Sequence, residues 1–324
     1  MVKRTIAGIV LGLLICATLS GCLGPEEEKI RIAFKTQDDY DNPDANPQRL
    51  ADFITKQTGM EVEIYPISSD LAAIEALRFG HADIAILDGG SAWLAWQQHG
   101  FEAILADQKS DGSNYYTASA WVLDSSDIRT LEDLEGRDSC HTGWLKSAGM
   151  LMPMGYMIGQ GIVEVSGDEE DIDSLRTTIE NHFGNASIPA SGDVYYGYGG
   201  AFRCMTEGHG NVAFAKTTSY EDHCEGNDWC LGQSEYRMLE PTFGQVPSHS
   251  VMVNGDSYGS EKTESITMAF LALNLDVEGQ SILESVLGTP RISEVDTESH
   301  LGSYSAAISS IPGIAAYLED KYGD

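Results

Sequence analysis

The segment Ser139-Cys140-His141-Thr142-Gly143-Trp144-Leu145-Lys146-Ser147-Ala148-Gly149 sets hydroxyls, a glycine turn and a base just ahead of a helical run reaching residue 158. The first amides of a helix have no partner within it. The amides of Ala148 and Gly149, the Thr142 hydroxyl and the Lys146 ammonium can therefore converge on one oxyanion. The plainer alternative is a capped helix start in which Ser147 satisfies the backbone. The residues alone leave both readings open. Catalysis is not expected: Cys140 and His141 are chain neighbours that point apart, and no motif supports a Ser147–Lys146 pair. A second candidate is Asp88, which ends the apolar run 83–87 and is followed by Gly89-Gly90.

Alternation of period 2 and period 3.6 places these residues in a regular frame. Strands are expected at 30–34, 61–65 and 83–87, with helices at 47–58, 69–79 and 91–98. This β-α-β-α-β rhythm implies a mostly parallel sheet, where ligands bind at the carboxyl ends of strands. A strand at 115–123 opens a second unit, with helices at 147–158, 171–183 and 201–207, a Gly/Tyr-rich loop at 191–200 and a strand at 212–216. A strand at 248–253 and helices near 263–274, 279–287 and 303–322 complete the chain. The expected fold class is α/β, two subdomains around a cleft with hinge strands, as in type II periplasmic binding proteins. Subdomain 1 is assigned to 30–113 plus 249–324 and subdomain 2 to 114–248.

Fifty Asp and Glu face nineteen Lys and Arg, a formal net charge of −31. Nucleic-acid phosphates would be repelled by such a surface, so that class of partner is excluded. The N-terminus carries Lys3 and Arg4, an apolar stretch from Ile6 to Ala17, and then Leu19-Ser20-Gly21-Cys22. This is the layout of a secretory signal, expected over 1–21. A cysteine directly after small residues resembles a lipobox, so Cys22 is the expected lipidation site, with 22–29 as a tether to the membrane. The expected location is extracytoplasmic. Four cysteines remain beyond Cys16 and Cys22, and in an oxidising compartment they suggest two disulfides, with three possible connectivities. Cys224 and Cys230 bracket a short polar loop that a local bridge would close, leaving Cys140 with Cys204. A structural zinc site is the rival, and no Cys-x-x-Cys spacing supports it.

Once the anion segment is read as a pattern, it resembles the Ser-Cys-His-Thr-Gly…Arg-Ser-Ala-Gly segment of the transferrins. Further matches follow in order. Leu87-Asp88-Gly89-Gly90 is similar to Leu-Asp-Ala-Gly, and Tyr115-Tyr116 precedes the same alternating strand. Tyr196-Gly197-Tyr198-Gly199-Gly200-Ala201-Phe202-Arg203-Cys204 resembles Tyr-x-Gly-Tyr-x-Gly-Ala-Phe-Lys/Arg-Cys. Gly210-Asn211-Val212-Ala213-Phe214-Ala215-Lys216 resembles Gly-Asp-Val-Ala-Phe-Val-Lys, and Val246-Pro247-Ser248-His249 resembles Val-Pro-Ser-His. The resemblance covers one lobe.

This resemblance implies a ferric-ion carrier with a synergistic carbonate. It places metal ligands on Asp88, Tyr115, Tyr198 and His249, and anion contacts on Thr142, Lys146, Ala148 and Gly149. It also implies pairing of Cys140 with Cys204. The donor chemistry agrees: ferric iron is hard and prefers oxygen donors, and two phenolates with a carboxylate supply three negative charges. Because the donors come from both subdomains, binding implies closure. Three departures stand out. Lys146 occupies a position where the family most often has arginine, keeping the charge without the bidentate fork. The second subdomain lacks a dense disulfide cluster. Lys216 matches a lysine that pairs with another in some transferrins, and no sequence partner for it is evident. One lobe implies one iron and a monomer, and the anchor implies a surface receptor or a feeder for a membrane importer. The competing expectation is a lipoprotein delivering a small oxyanion, phosphate- or phosphonate-like, to an ABC importer.

Overall fold

The computed structural model describes residues 29–35, 45–255 and 259–323. The signal segment 1–21, Cys22 and most of the 22–29 tether lie outside the described residues. Among the described residues, no helix is long and apolar enough to cross a membrane.

Two mixed sheets form the frame. In the first, β1 (Ile30–Lys35) pairs in parallel with β2 (Val62–Ile67) and with β3 (Ile84–Leu87). β11 (Ser250–Val253) runs antiparallel between β3 and β4 (Glu102–Gln108), and β12 (Arg291–Glu294) closes the edge, giving the order β12-β4-β11-β3-β1-β2. The second sheet orders β10 (Gln245–Pro247), β5 (Tyr115–Leu123), β8 (Val212–Lys216), β6 (Ser139–Cys140) and β7 (Ala186–Ser187), with β9 (Tyr236–Met238) on the far end of β5. The fold is therefore α/β of the type II periplasmic-binding kind, two sheets bridged by the chain.

The chain passes between the sheets twice in this region, from β4 to β5 and from β10 to β11. Ser248 fastens the two passages together: its hydroxyl donates to the carbonyls of Asp107 and Asn114, both at 2.7 Å, and its amide donates to Asn114 at 2.9 Å. The strand expected at 248–253 is β11, which begins two residues later at Ser250; Ser248 and His249 are the changeover from β10, an unexpected strand of the other sheet.

The helices cover the sheets through their apolar faces. α1 (Gln48–Thr58) buries Leu50, Ala51, Phe53 and Ile54 and stops at Gly59 in the left-handed region, φ 74°. α2 (Asp70–Arg78) starts where Ser69 accepts from the Ala72 amide at 3.1 Å, a side-chain cap. α3 (Gly89–His99) starts at Asp88. A π-helical turn, Ser147–Leu151, leads into α4 (Met152–Gly159). α5 (Asp173–His182) and α6 (Gly197–Thr206) complete the second sheet's cover. α6 begins four residues earlier than the pattern suggested, because three glycines, Gly197, Gly199 and Gly200, lower local propensity and hide the start. α7 (Ser260–Ala272), α8 (Val277–Ile282), α9 (Thr297–Ile308) and α10 (Ile314–Gly323) return to the first sheet. The single helix expected over 303–322 is broken at Pro312-Gly313, with Gly313 at φ 61°. α9 packs on α4, while α10 packs on α2 and α3.

Both expected disulfides are formed, Cys140–Cys204 and Cys224–Cys230. The first ties β6 to α6 within a cluster containing Trp121, Phe202 and Tyr236.

Candidate functional site

Asp88 follows the last residue of β3, and its Oδ1 caps α3, accepting from the amides of Gly90 at 3.0 Å and Ser91 at 2.9 Å. Ser91 Oγ donates to the same oxygen at 3.1 Å, and so does the Tyr322 hydroxyl of α10, at 2.7 Å. Burial and the adjacent Asp88 charge push the Tyr322 phenol far above the usual range, which keeps it a donor. Asp88 and His249 line one pocket of about 300 Å³ with Lys35 and Asp70.

His249 stands at the changeover between the sheets, its side chain 60% exposed, with Nδ1 3.0 Å from Asp107 Oδ2. The hydrogen bond to Asp107 raises the imidazole pKa against desolvation, and the charges of Asp107, Asp88 and Asp70 add to the effect. Holding Nδ1 in this way leaves Nε2 as the nitrogen available to a ligand. Asp107 is itself pushed up by burial, an effect that His249 opposes.

Tyr198 lies in the first turn of α6. Its ring stacks on His223 with centroids 5.7 Å apart, and Lys216 Nζ sits 4.6 Å from its centroid. Burial raises its pKa, and a hydrogen bond shared with Tyr116 raises it further. Tyr116, and not Tyr115, is thus the phenol that meets Tyr198. Successive strand residues face opposite sides: Tyr116 packs into the main core beside Tyr198, while Tyr115 opposes Pro247 at the strand start and is 36% exposed. The structure therefore joins Asp88 with His249, and Tyr198 with Tyr116, and leaves Tyr115 apart from both pairs. Among the described residues, no three His, Cys, Asp or Glu side chains are disposed to hold a metal ion. The expected donor set contains only two such groups, its others being phenols.

Of the four residues expected to hold an anion, Thr142 and Gly149 lie against each other. Thr142 is 2% exposed, and its hydroxyl is buried without a hydrogen-bond partner. It lies against Gly149, where any Cβ would overlap it. Ala148 and Gly149 are fully buried in the π-helical turn, and Lys146, the extended residue before it, lies with Nζ 5.6 Å from the Tyr196 ring centroid. The loop is held by unusual backbone: Gly143 at φ 134° and Leu145 at φ 56°, the one non-glycine at positive φ among the described residues. It is also tied to α6, because the Gly197 amide donates to the Thr142 carbonyl at 2.9 Å. From behind, His141 shares hydrogen bonds with Ser139 Oγ at 3.0 Å and the Gly149 carbonyl at 2.9 Å.

Several residues take part in ways the sequence did not signal. Lys109 lies over Tyr116 at 5.2 Å with Lys216 at 4.8 Å from the same ring, so Lys216 does have a second lysine nearby. Burial and the Lys109 charge hold the Lys216 ammonium below its usual range. Ser147 hydrogen-bonds with both Tyr116 and Tyr304. Neither Asp107, on a strand the sequence did not reveal, nor Tyr322 was signalled.

A family model described as ABC transporter, phosphonate, periplasmic substrate-binding protein matches residues 32–301. The chain belongs to this phosphonate-type binding-protein family. Membership makes it an extracytoplasmic solute-binding protein. Within that setting it is also similar to transferrins: 28% identical over 233 residues to human melanotransferrin, covering 57% of this chain and 31% of that protein. It is 27% identical over 254 residues to a transferrin of Blaberus discoidalis, covering 61% and 34%. To ovotransferrin of Gallus gallus it is 28% identical over 241 residues, covering 63% and 33%. The chain spans about a third of the length of these relatives. Transferrin 1 from Manduca sexta shares the fold, with a TM-score of 0.62 at 14% identity over 88% of this chain and 52% of that one. The phosphonate-type family thus contains here a chain with a transferrin-lobe-like fold.

Proposed function

We propose that this protein captures one ferric ion together with carbonate and closes its two lobes around them, in the service of iron acquisition. Asp88, Tyr115, Tyr198 and His249 would donate to the metal, and Thr142, Lys146, Ala148 and Gly149 would hold the anion. The observation that supports the reading is a half-site in each sheet, with the Asp88 charge acting on Tyr116, the partner of Tyr198. Tyr198 opens a helix whose first amide is bonded to Thr142, the residue with the buried, unpartnered hydroxyl. Across from it, Asp88 and His249 share a pocket in the first sheet. Hard oxygen donors with one imidazole suit a trivalent ion better than a soft one. Both tyrosines must be deprotonated on binding, so uptake releases protons and acid reverses it.

Tyr115 opposes Pro247 and is 36% exposed, so the reading requires a movement that brings it to the other donors. The Ser248 fastening and the His249–Asp107 pair sit where the chain changes sheets, which is where a hinge would act. We further propose that residues 1–21 direct export, that Cys22 carries a lipid, and that the anchored monomer passes its cargo to a membrane importer.

The second reading is a small oxyanion, phosphate- or phosphonate-like, delivered to an ABC importer. The family match and the Thr142 socket favour it. Against it stand Asp70 and Asp88 in the pocket and Asp107 beside His249, carboxylates that would repel a multivalent anion arriving without a cation. Titration of the full chain with ferric salt and bicarbonate, beside a parallel titration with methylphosphonate, separates them. The ferric reading expects a visible phenolate charge-transfer band at one equivalent and no heat from methylphosphonate. Saturable methylphosphonate binding with no ferric band would replace it with the second reading.

A further inference from the structure

We propose that Tyr322 is the positioning residue for Asp88, fixing one carboxylate oxygen so that the other alone is presented to the cargo. The inference rests on Asp88 acting as a metal donor, and it adds the residue that would set how it donates. Four hydrogen bonds fall on Oδ1: from the Gly90 amide, the Ser91 amide, the Ser91 hydroxyl and the Tyr322 hydroxyl. None of these reaches Oδ2. The Tyr322 bond is the shortest of the four, 2.7 Å against 2.9 to 3.1 Å, and comes from a residue 234 positions away. The other three belong to an ordinary helix cap, which the neighbouring residues supply unaided. The fourth does not.

The close approach is built into the sequence. A Cβ on Gly90 would overlap the Tyr322 hydroxyl, so Gly90 leaves the space that the phenol enters. Tyr322 is 6% exposed at the end of α10, which packs on α2 and α3, so its ring cannot swing away without disturbing the helix. Lys321 Nζ lies 3.5 Å from the same hydroxyl. A carboxylate oxygen already saturated by four donors is a poor metal ligand, which leaves Asp88 monodentate through Oδ2. That is the denticity required if two phenolates, an imidazole and a two-point carbonate fill the other places on a six-coordinate ferric ion. Tyr322 thereby links the C-terminal helix to the metal position without touching the metal.

The test loads the full chain with ferric ion and bicarbonate and compares it with Tyr322→Phe, Gly90→Ala and Tyr317→Phe. The readouts are the visible band, the ferric electron-paramagnetic-resonance pattern and the rate of iron transfer to a chelator. Tyr322→Phe keeps the ring and its packing but frees Oδ1. It is expected to change the resonance pattern and speed transfer on the order of 10-fold, the usual effect of losing a residue that orients a ligand. Gly90→Ala, which displaces the hydroxyl while leaving α10's own residues intact, is expected to do the same. Tyr317→Phe, in the same helix and away from Asp88, is expected to match wild type. A loaded wild type with Tyr322→Phe and Gly90→Ala both unchanged overturns the positioning role alone. A slower-folding or less stable Tyr322→Phe with unaltered resonance and transfer rate also overturns it, since that is what a purely structural tyrosine would give. A wild type that takes up no ferric ion overturns both this inference and the ferric reading.

Discussion

Replacing His141 with glutamine tests how the anion loop is held in place. His141 is fully buried, and its two ring nitrogens are both engaged, one by Ser139 Oγ and one by the Gly149 carbonyl. A carbonyl only accepts, so Nδ1 carries the proton and Nε2 accepts from the serine. Burial pushes the pKa from 6.5 down to about 4, and the Gly149 bond opposes that only in part. A folded value below the unfolded one means the neutral imidazole stabilises the fold above the unfolded value, and that this contribution fades as pH falls toward the folded one. From these two values the loss relative to neutrality is about 2 kcal/mol near pH 5 and about 3 kcal/mol near pH 4. Glutamine can keep one or both bonds but cannot titrate. Urea unfolding of wild type and His141→Gln should therefore show the variant less stable near pH 7, with the gap narrowing by about 2 kcal/mol near pH 5. Carboxylates common to both proteins cancel in that difference. A gap that stays constant over the interval would refute the buried neutral imidazole, and with it the account of how Gly149 is fixed opposite Thr142.

Three further outcomes follow from the same geometry. Gly149→Ala forces a methyl onto the Thr142 hydroxyl; overpacking of this kind costs about 1–3 kcal/mol, and bicarbonate should lose its effect on ferric uptake while a Ser147→Ala control keeps most of it. Replacing Cys140 and Cys204 together by alanine opens a loop spanning 64 residues; loop closure of that size is worth about 4 kcal/mol, so thermal unfolding should shift down clearly. Asp107→Asn removes the charge that holds His249 Nδ1 and raises its pKa. Acid competition for the imidazole should then begin at lower pH, so iron retention should persist further into the acid range than in wild type, and retention lost at higher pH would count against this role.

Much of the frame was legible because the elements that hold the site are strongly patterned. The β1-α1-β2-α2-β3 run has apolar faces of clear period, and Asp88 at its end was found by topology alone. The helix start at Ser147 could be read from its hydroxyls and glycines, although its π-helical turn could not, since no residue type encodes one extra residue per turn. Strand β4 was missed because its Glu, Ala, Asp and Gln residues have low strand propensity, and β12 because only one of its four residues is apolar; the changeover was missed because Ser248 and His249 were read into the strand that begins at Ser250. Tyr115 and Tyr116 illustrate a harder limit. Two identical neighbours on a strand face opposite sides, and the sequence does not say which side belongs to the cleft before the partner strand is known. Tyr322 was beyond reach for another reason: its contact with Asp88 depends on how the last helix is laid across α3, and Pro312-Gly313 sets that path in a stretch where one continuous helix was expected.

The central claim is that four donors scattered along the chain meet on one ferric ion beside the Thr142 socket. Iron-edge anomalous diffraction from crystals grown with ferric ion and bicarbonate tests it most directly. The account predicts a single anomalous peak in contact with Asp88, Tyr115, Tyr198 and His249, with a planar anion bridging it to Thr142 and the amides of Ala148 and Gly149. A peak held by other side chains, or fully bound protein in which Tyr115 stays turned away from the metal, would contradict it.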